Sequence, residues 1–185
     1  MSDIAHSPNF GRGAKKIDQQ YERMKAMSIF GKGSAKKDEK KAALSVLRKE
    51  DVLVQLPSVD KYEAIRMAGR MLVQNGCVTE EYIEAMIERE DTISTYIGEG
   101  VAIPHGVGSA RQYIQKTGIV VLQFKDGVEF GDEKAYILVG IAGLGDGHLP
   151  ILQSVARIMM DEELMERIRT TGSADFIYAS FTGNE

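Results

Sequence analysis

The chain has 185 residues, which fits one domain with an appendage better than two full domains, and 43% of them are hydrophobic, so it can bury a core. No apolar run reaches the roughly 18 residues of a membrane-spanning helix, and the N-terminus lacks the apolar block of a secretory signal, so we expect a cytoplasmic protein. A net charge of −4 does not favour nucleic-acid binding, and one cysteine, Cys77, excludes an internal disulfide and a cysteine-rich zinc site.

The N-terminal part of the chain differs in charge from the rest. Residues 1–43 carry ten basic and five acidic side chains, a net charge of +5, whereas the remainder carries 13 basic and 22 acidic ones. Together with a Gly/Ser/Lys-rich run at 31–41, this predicts a basic tail or linker over 1–43 and a folded domain over 44–185. Within the tail, apolar residues at helical spacing predict a basic amphipathic helix over 14–30 that is solvated, docked on a partner or bound to a membrane surface.

Two helices are predicted at the start of the domain. Asp60 with Glu63 three residues later resembles a capping box and begins a helix that Gly76 ends. The second helix is predicted to start at Thr79. The positions expected to be buried are Ile65, Ala68 and Leu72 in the first helix and Ile83, Met86 and Ile87 in the second.

The pattern then changes to strands. Apolar runs at 101–103, 118–124 and 136–142 predict three strands, with Pro104 ending the first and a turn at 125–127 after the second. Helices are predicted from 149 to 159, from 161 to 170 and from 173 to 181. The short turn indicates a reversal within the sheet, so we predict an α/β fold with a mixed β-sheet flanked by helices in a single domain.

Two of the three histidines follow strands. His105 comes after a strand and Pro104, and His148 comes after another strand, a glycine-rich loop at 143–147 and just before a helix. Ligands of α/β sheets usually bind at strand ends, so if these strands are neighbours both imidazoles face one pocket. Each histidine alone is also compatible with an ordinary loop or capping role.

A convergent histidine pair permits three chemistries. Metal binding would need a third ligand at suitable spacing, and hydrolysis would need a serine or cysteine nucleophile with an oxyanion hole; neither pattern is present, and we interpret Cys77 as structural. Phosphoryl transfer onto an imidazole uses the features that are present. Arg89 at the end of the second helix is a candidate to hold phosphate oxygens, and Glu99 is a candidate to orient a histidine or to pair with Arg89, although both residues are also typical of surface ion pairs.

Several segments of the domain carry a resemblance to a known family. Residues 94–106 read Ser-Thr-Tyr-Ile-Gly-Glu-Gly-Val-Ala-Ile-Pro-His-Gly, and 85–90 read Ala-Met-Ile-Glu-Arg-Glu. Phe-Gly-Asp at 130–132, Ile-Leu-Val-Gly-Ile-Ala at 137–142 and His-Leu-Pro-Ile-Leu at 148–152 follow. In this order they resemble the enzyme IIA domain of the mannitol/fructose class of the bacterial phosphoenolpyruvate-dependent sugar phosphotransferase system, closest to its mannitol branch, over residues 45 to 183.

The resemblance implies a histidine phosphotransferase component in which His105 accepts a phosphoryl group on Nε2 from the phosphocarrier HPr. His105 would then pass it to a cysteine of an enzyme IIB domain supplied in trans, which serves the membrane permease enzyme IIC in the uptake of mannitol or a related sugar alcohol. His148 would support the phosphate, with Arg89 and Glu99 as the accompanying charged residues. No metal or organic cofactor is implied, and residues 1–43 match no part of the domain.

A second function remains open at this point. The same histidine, once phosphorylated, would act in a regulatory module whose output is the binding of a transporter, kinase or transcription factor. The segment 94–96 favours transport, whereas the separate tail is compatible with regulation or with a membrane-surface adaptor.

Overall fold

The computed structural model describes residues 46–145 and 149–183. The amphipathic helix predicted over 14–30 lies outside these residues, and so does His148. The described helices are α1 (Lys61–Gln74), α2 (Glu81–Thr92), α3 (Leu149–Met159), α4 (Glu162–Thr170) and α5 (Ala174–Thr182), with 3₁₀ turns at Lys49–Asp51 and Gly108–Tyr113. The strands are β1 (Val52–Leu56), β2 (Tyr96–Gly98), β3 (Val101–Ala102), β4 (Gly118–Phe130) and β5 (Glu133–Ala142).

The five strands form one mixed sheet in the order β1-β4-β5-β3-β2. β4 and β5 are an antiparallel hairpin, β2 and β3 are a second antiparallel pair, and β3 runs parallel to β5. β1 runs parallel to β4 at the other edge. The predicted α/β fold, with a mixed sheet flanked by helices, is therefore confirmed.

Alternate residues of the central strands enter two separate hydrophobic clusters. Ile119 and Val121 belong to a cluster that contains buried residues of α3, α4 and α5, whereas Val120 and Leu122 belong to one that contains buried residues of α1 and α2. A strand buried on both faces needs apolar residues at every position, which explains the uninterrupted run at the start of β4. The sheet is thus a central layer with helices on both sides.

The predicted helices are present with small shifts at their ends. Asp60 caps α1 by accepting a hydrogen bond from the Glu63 backbone N–H at 3.0 Å, and Gly76 follows the helix with a φ of +64°. α2 begins at Glu81, two residues later than predicted. It buries Met86 and Ile87 as predicted and also Tyr82, whereas Ile83, which was predicted to be buried, is only partly buried. Asp161 and Ser173 cap α4 and α5 in the same way as Asp60 caps α1.

The turn predicted at 125–127 is wrong. β4 continues through these residues to Phe130, and the pairing with β5 shifts register between Gln123 and Val128. The chain reverses at Gly131, whose φ of +78° suits a tight turn. An irregularity within a strand and a turn between strands share glycine and polar residues, which is why the sequence alone misplaced the reversal.

Two short strands were not predicted. β1 reads Val-Leu-Val-Gln-Leu, with three apolar residues in succession, so its sequence lacks the apolar–polar alternation of a half-buried strand although Leu53 and Gln55 are the exposed positions. β2 has only three residues. Along the described ranges, every helix is too short or too polar to cross a membrane.

Candidate active site

His105 lies at the carboxyl end of β3. The chain continues in an extended conformation beyond Ala102, and His105 forms a parallel bridge with Ile141 of β5. The Ile141 N–H donates to the Pro104 carbonyl at 3.0 Å, which fixes this residue pair. β3 and β5 are therefore parallel neighbours, which is the arrangement that the convergence hypothesis for the two histidines requires.

One ring nitrogen of His105 contacts the backbone of its own segment. Nδ1 lies 2.7 Å from the carbonyl oxygen of Ile103. Because a carbonyl oxygen only accepts hydrogen bonds, Nδ1 carries the proton in this contact. The neutral ring then has its lone pair on Nε2, so the backbone selects the tautomer in which Nε2 is the nucleophilic atom.

Tyr82 ties together the two backbone segments that flank His105. Its hydroxyl donates to the Ile141 carbonyl at 2.8 Å and accepts from the Gly106 N–H at 2.9 Å. The side chain is 1% exposed, and burial raises the pKa of Tyr82, so the hydroxyl stays protonated at neutral pH. Tyr82 therefore acts as a positioning residue for the backbone around His105.

Gly106 packs against the same tyrosine. A Cβ atom at this position would lie 2.8 Å from Cε2 of Tyr82 and 2.8 Å from the Cβ of Ala110, closer than real Cβ contacts. The residue after His105 is thus glycine because two elements close on it. Sequence reasoning missed Tyr82, since an aromatic residue in the first turn of an amphipathic helix is expected in the core and nothing local shows where its hydroxyl points.

His105 opens into a cavity of about 370 Å³. The described residues that line it are mostly apolar or glycine: Tyr82, Ile103, His105, Gly106, Val107, Gly108, Arg111, Ile114, Ile141, Gly143 and Leu152. Arg111 is the one lining residue of this described set with a permanent charge. It was not singled out from the sequence, because a lone arginine in a polar segment has no distinguishing pattern.

Arg89 lies in the last turn of α2, near the carboxyl end of β3 where His105 also lies. Its guanidinium donates to the Ile93 carbonyl at 2.5 Å. Two residues later, the Thr95 carbonyl accepts from the Ile103 N–H at 3.0 Å, which joins this segment to the residue that holds the imidazole. Arg89 is not among the described residues that line the cavity. Arg89 and His105 therefore lie near the same end of β3, but only His105 borders the cavity.

The buried carboxylate of Glu90 orders the segment that Arg89 contacts. Glu90 is 3% exposed and accepts hydrogen bonds from the Thr95 hydroxyl at 2.7 Å and the Ser94 hydroxyl at 3.0 Å. Lys61 of α1 lies 3.3 Å from the same carboxylate. These contacts link α1, α2 and the entry to β2, and they provide the partners that a buried carboxylate requires.

Glu99 lies at the other end of β3. It occupies the turn between β2 and β3 with a φ of +48°. Next to it, the Gly100 carbonyl accepts from Tyr136 and Ile137, whereas His105 pairs with Ile141 four residues farther along β5. At roughly 3.3 Å per residue, the two ends of this segment are about 13 Å apart, so the structure does not bring Glu99 to His105.

Cys77 is buried beneath the sheet and does not belong to the site. A Cβ at Gly118 would collide with its sulfur, and burial raises the pKa of the Cys77 thiol. The thiol therefore favours its neutral form, as expected for a structural cysteine. Within the parts of the chain that the structure describes, no three His, Cys, Asp or Glu residues lie together in a group that could hold a metal ion.

Comparison with protein families gives one match that spans most of the chain. The family described as "Phosphoenolpyruvate-dependent sugar phosphotransferase system, EIIA 2" matches residues 45–183. The match begins one residue after the start of the predicted domain and leaves the basic tail outside. It includes all four predicted site residues.

Individual relatives point the same way. A mannitol-specific phosphotransferase enzyme IIA component of Bacillus subtilis is 41% identical over 139 residues, which cover 75% of this chain and 97% of that protein. A mannitol-specific EIICBA component of Escherichia coli is 36% identical over 151 residues, 80% of this chain but only 24% of that longer protein.

Solved structures agree with the fold. In a complex of enzyme IIAMTL with phosphorylated enzyme IIBMTL from Escherichia coli, the matching chain is 35% identical with a TM-score of 0.69, covering 75% of this chain and 99% of that one. A crystal structure of IIA mannitol from Escherichia coli is 36% identical with a TM-score of 0.66, covering 72% and 97%.

Proposed function

Because the chain belongs to the enzyme IIA family 2 of the phosphoenolpyruvate-dependent sugar phosphotransferase system, a family of phosphotransferase components, we propose that His105 is its phosphoryl acceptor. The observation that carries the proposal is the hydrogen bond between Nδ1 of His105 and the Ile103 carbonyl. This bond leaves the lone pair of the neutral ring on Nε2, and His105 borders a cavity at the carboxyl end of β3.

The transfer step follows from this geometry. The Nε2 lone pair forms a bond to phosphorus while the bond from phosphorus to the donor nitrogen breaks, and that electron pair returns to the donor imidazole. The proton stays on Nδ1 and remains hydrogen-bonded to the Ile103 carbonyl, so the ring carries a positive charge beside the phosphoryl dianion. Such a phosphoramidate is reactive enough to pass the group to a second nucleophile.

The partners are proposed from the relatives. One solved relative is in complex with phosphorylated enzyme IIB, and one relative carries IIC, IIB and IIA parts in a single longer protein. We propose that phospho-HPr supplies the phosphoryl group, that a cysteine of a mannitol-type enzyme IIB supplied in trans receives it, and that enzyme IIC is served indirectly. The excess of acidic residues after position 43 suits a carrier with a basic contact face.

Three other residues are proposed to support the acceptor. His148, which lies outside the described residues, is proposed to support the phosphate without accepting it. Arg89 is proposed to act near the same end of β3, by positioning the segment that it contacts at the Ile93 carbonyl. Glu99 matches the family pattern, but its position at the far end of β3 gives it no direct contact with His105, and its contribution is expected to be small.

The test uses the purified chain with labelled phosphoenolpyruvate, enzyme I and HPr, followed by mapping of the labelled residue. We expect acid-labile, base-stable label on His105 that moves to a mannitol-type enzyme IIB when this protein is added. Label that stays on His105 with every IIB protein would favour the regulatory module, and a protein that takes up no label would contradict the proposed acceptor.

A further inference from the structure

We propose that Arg111 contacts the phosphoryl group on His105 and supplies the positive charge that its transfer requires. The inference rests on the proposed function of His105 and adds a residue that the family pattern in the sequence did not indicate. It begins from the cavity, because Arg111 and His105 border the same space of about 370 Å³.

The cavity needs a cation when it is phosphorylated. A phosphoryl group at Nε2 brings nearly two negative charges to a space lined mainly by apolar side chains and glycine. Burying such a charge without a partner is costly, and a guanidinium offers paired N–H donors that match phosphate oxygens. Among the described lining residues, Arg111 alone has this chemistry.

The backbone that carries Arg111 is fixed against the site. Arg111 belongs to the 3₁₀ turn Gly108–Tyr113, in which Ala110 is buried beside Gly106. The Tyr113 carbonyl accepts from the Thr79 N–H at 2.9 Å, just before α2. The segment therefore has a defined position relative to His105, although the Arg111 side chain itself is exposed.

Arg89 is engaged elsewhere in this structure. Its guanidinium donates to the Ile93 carbonyl, and it does not line the cavity. Arg111 has none of these restraints among the described contacts, and its exposed guanidinium can meet a phosphoryl group at the mouth of the cavity. The two arginines thus have different roles, with Arg111 on the phosphate and Arg89 on the backbone.

Two phosphoryl donors distinguish contact with the phosphate from docking of a partner. Phospho-HPr is a protein donor, whereas phosphoramidate is a small molecule whose phosphorus–nitrogen bond breaks with release of ammonia as the Nε2–phosphorus bond forms. The variants are Arg111→Gln, Arg111→Lys and, as a control with the same change of charge, Arg70→Gln on the exposed face of α1. Thermal unfolding of each variant checks that the fold is kept.

We expect Arg111→Gln to slow phosphorylation of His105 by roughly tenfold to a hundredfold with both donors, since a charge-assisted contact is lost. Arg111→Lys should recover part of the rate, and Arg70→Gln should behave as the wild type. A slower rate with phospho-HPr alone would assign Arg111 to docking and overturn the proposal, as would unchanged rates with both donors. Failure of the proposed function looks different, because the wild type itself would then take up no phosphoryl group from either donor.

Discussion

The two ends of β3 each open into a cavity, but they are built in opposite ways. At the His105 end, about 370 Å³ is lined mostly by apolar residues and glycine, with Arg111 as the charged residue of the described lining, and the backbone is fixed by a buried tyrosine hydroxyl. At the Glu99 end, about 630 Å³ is lined largely by charged residues. The larger cavity is not the better candidate, because a reactive imidazole needs an ordered backbone and a low-dielectric wall more than it needs volume.

The charges of the Glu99 end also argue against phosphate binding. Glu99, Asp132 and Glu133 are among the described residues that line this cavity. The two cations of this lining have other contacts, since Arg169 stacks on the Tyr136 ring at 3.9 Å and Lys134 donates to the Asp126 carbonyl at 3.2 Å. A phosphoryl dianion would meet three carboxylates. The comparison therefore predicts that equivalent changes at the two ends have unequal effects on phosphoryl transfer.

The largest effect is expected at His105. His105→Ala removes the Nε2 nucleophile and should abolish phosphorylation by phospho-HPr, measured as incorporation of labelled phosphate. His6→Ala in the basic tail is the matched control and should keep full incorporation. Substantial label on the His105→Ala protein would show that another residue accepts the group.

The next largest effect is expected when a methyl group is added at Gly106, the residue after His105. Gly106→Ala places a Cβ 2.8 Å from both Ala110 and Tyr82, so overpacking should lower the free energy of unfolding by about 1–3 kcal/mol and slow transfer. Gly172→Ala is the control, because its Cβ would meet only Gln55 at 3.8 Å. Chemical denaturation and labelling measure both effects. Equal, small losses for the two variants would mean that the backbone beside His105 is not tightly packed.

Two tyrosines offer the most direct comparison of the two ends. The Tyr82 hydroxyl accepts from the Gly106 N–H beside His105, and the Tyr96 hydroxyl accepts from the Gly100 N–H at 3.1 Å beside Glu99. Tyr82→Phe should cost about 1–3 kcal/mol of stability, because it leaves buried groups without a partner, and it should also slow phosphorylation. Tyr96→Phe should leave the phosphorylation rate unchanged.

The contribution of Tyr82 to stability depends on pH. Burial raises the pKa of Tyr82 above its ordinary value of 10.0. An unfolded chain then ionises this residue at a lower pH than the folded protein, so the stability that Tyr82 contributes is complete below about pH 10 and falls as the pH rises further. In this alkaline range, the free energy of unfolding of Tyr82→Phe should depend less on pH than that of the wild type. An identical pH dependence for the variant and the wild type would contradict the assignment.

Arg89→Ala tests a residue that lies near the carboxyl end of β3 but does not line the cavity. Loss of the contact with the Ile93 carbonyl should weaken transfer by a moderate factor, since a hydrogen bond from a charged group contributes about 1.5–3 kcal/mol when partly buried. Initial rates with phospho-HPr measure this effect. An unchanged rate would reduce Arg89 to a purely structural helix-end residue.

The smallest effect is expected at Glu99. Glu99→Gln keeps the shape of the side chain and removes its charge from the end of β3 that is remote from His105. The rate of phosphorylation should stay within about twofold of the wild type, as expected for a surface substitution without buried partners. A loss comparable to that of Tyr82→Phe would mean that the two ends of β3 are coupled.

The sequence predicted the helices, the three main strands and the position of His105 because each has a strong local signal. Asp60 with Glu63 and the apolar runs of β4 and β5 are examples, and hydrophobic periodicity is the most dependable signal of this kind. The strand register and the true reversal at Gly131 depend on pairing between distant segments, so local patterns misplaced them.

The site was predicted less completely than the fold. A strand-end histidine followed by glycine is visible in the sequence, but the contacts that define its surroundings join residues far apart in the chain. Tyr82 reaches Gly106 across 24 residues and Ile141 across 59. The separation of Glu99 from His105 follows from the extended path of β3, which a short sequence distance does not reveal.

The most direct test of the central claim is the identity of the ring atom that forms the bond to phosphorus. The protein, labelled with ¹⁵N at histidine, is phosphorylated by phospho-HPr, and ¹⁵N–³¹P coupling is measured by NMR before and after the reaction. We predict coupling to Nε2 of His105, with the proton on Nδ1 in the unphosphorylated protein. Coupling to Nδ1, or a phosphoryl group on a different residue, would contradict the role of the Ile103 carbonyl in selecting the nucleophilic nitrogen.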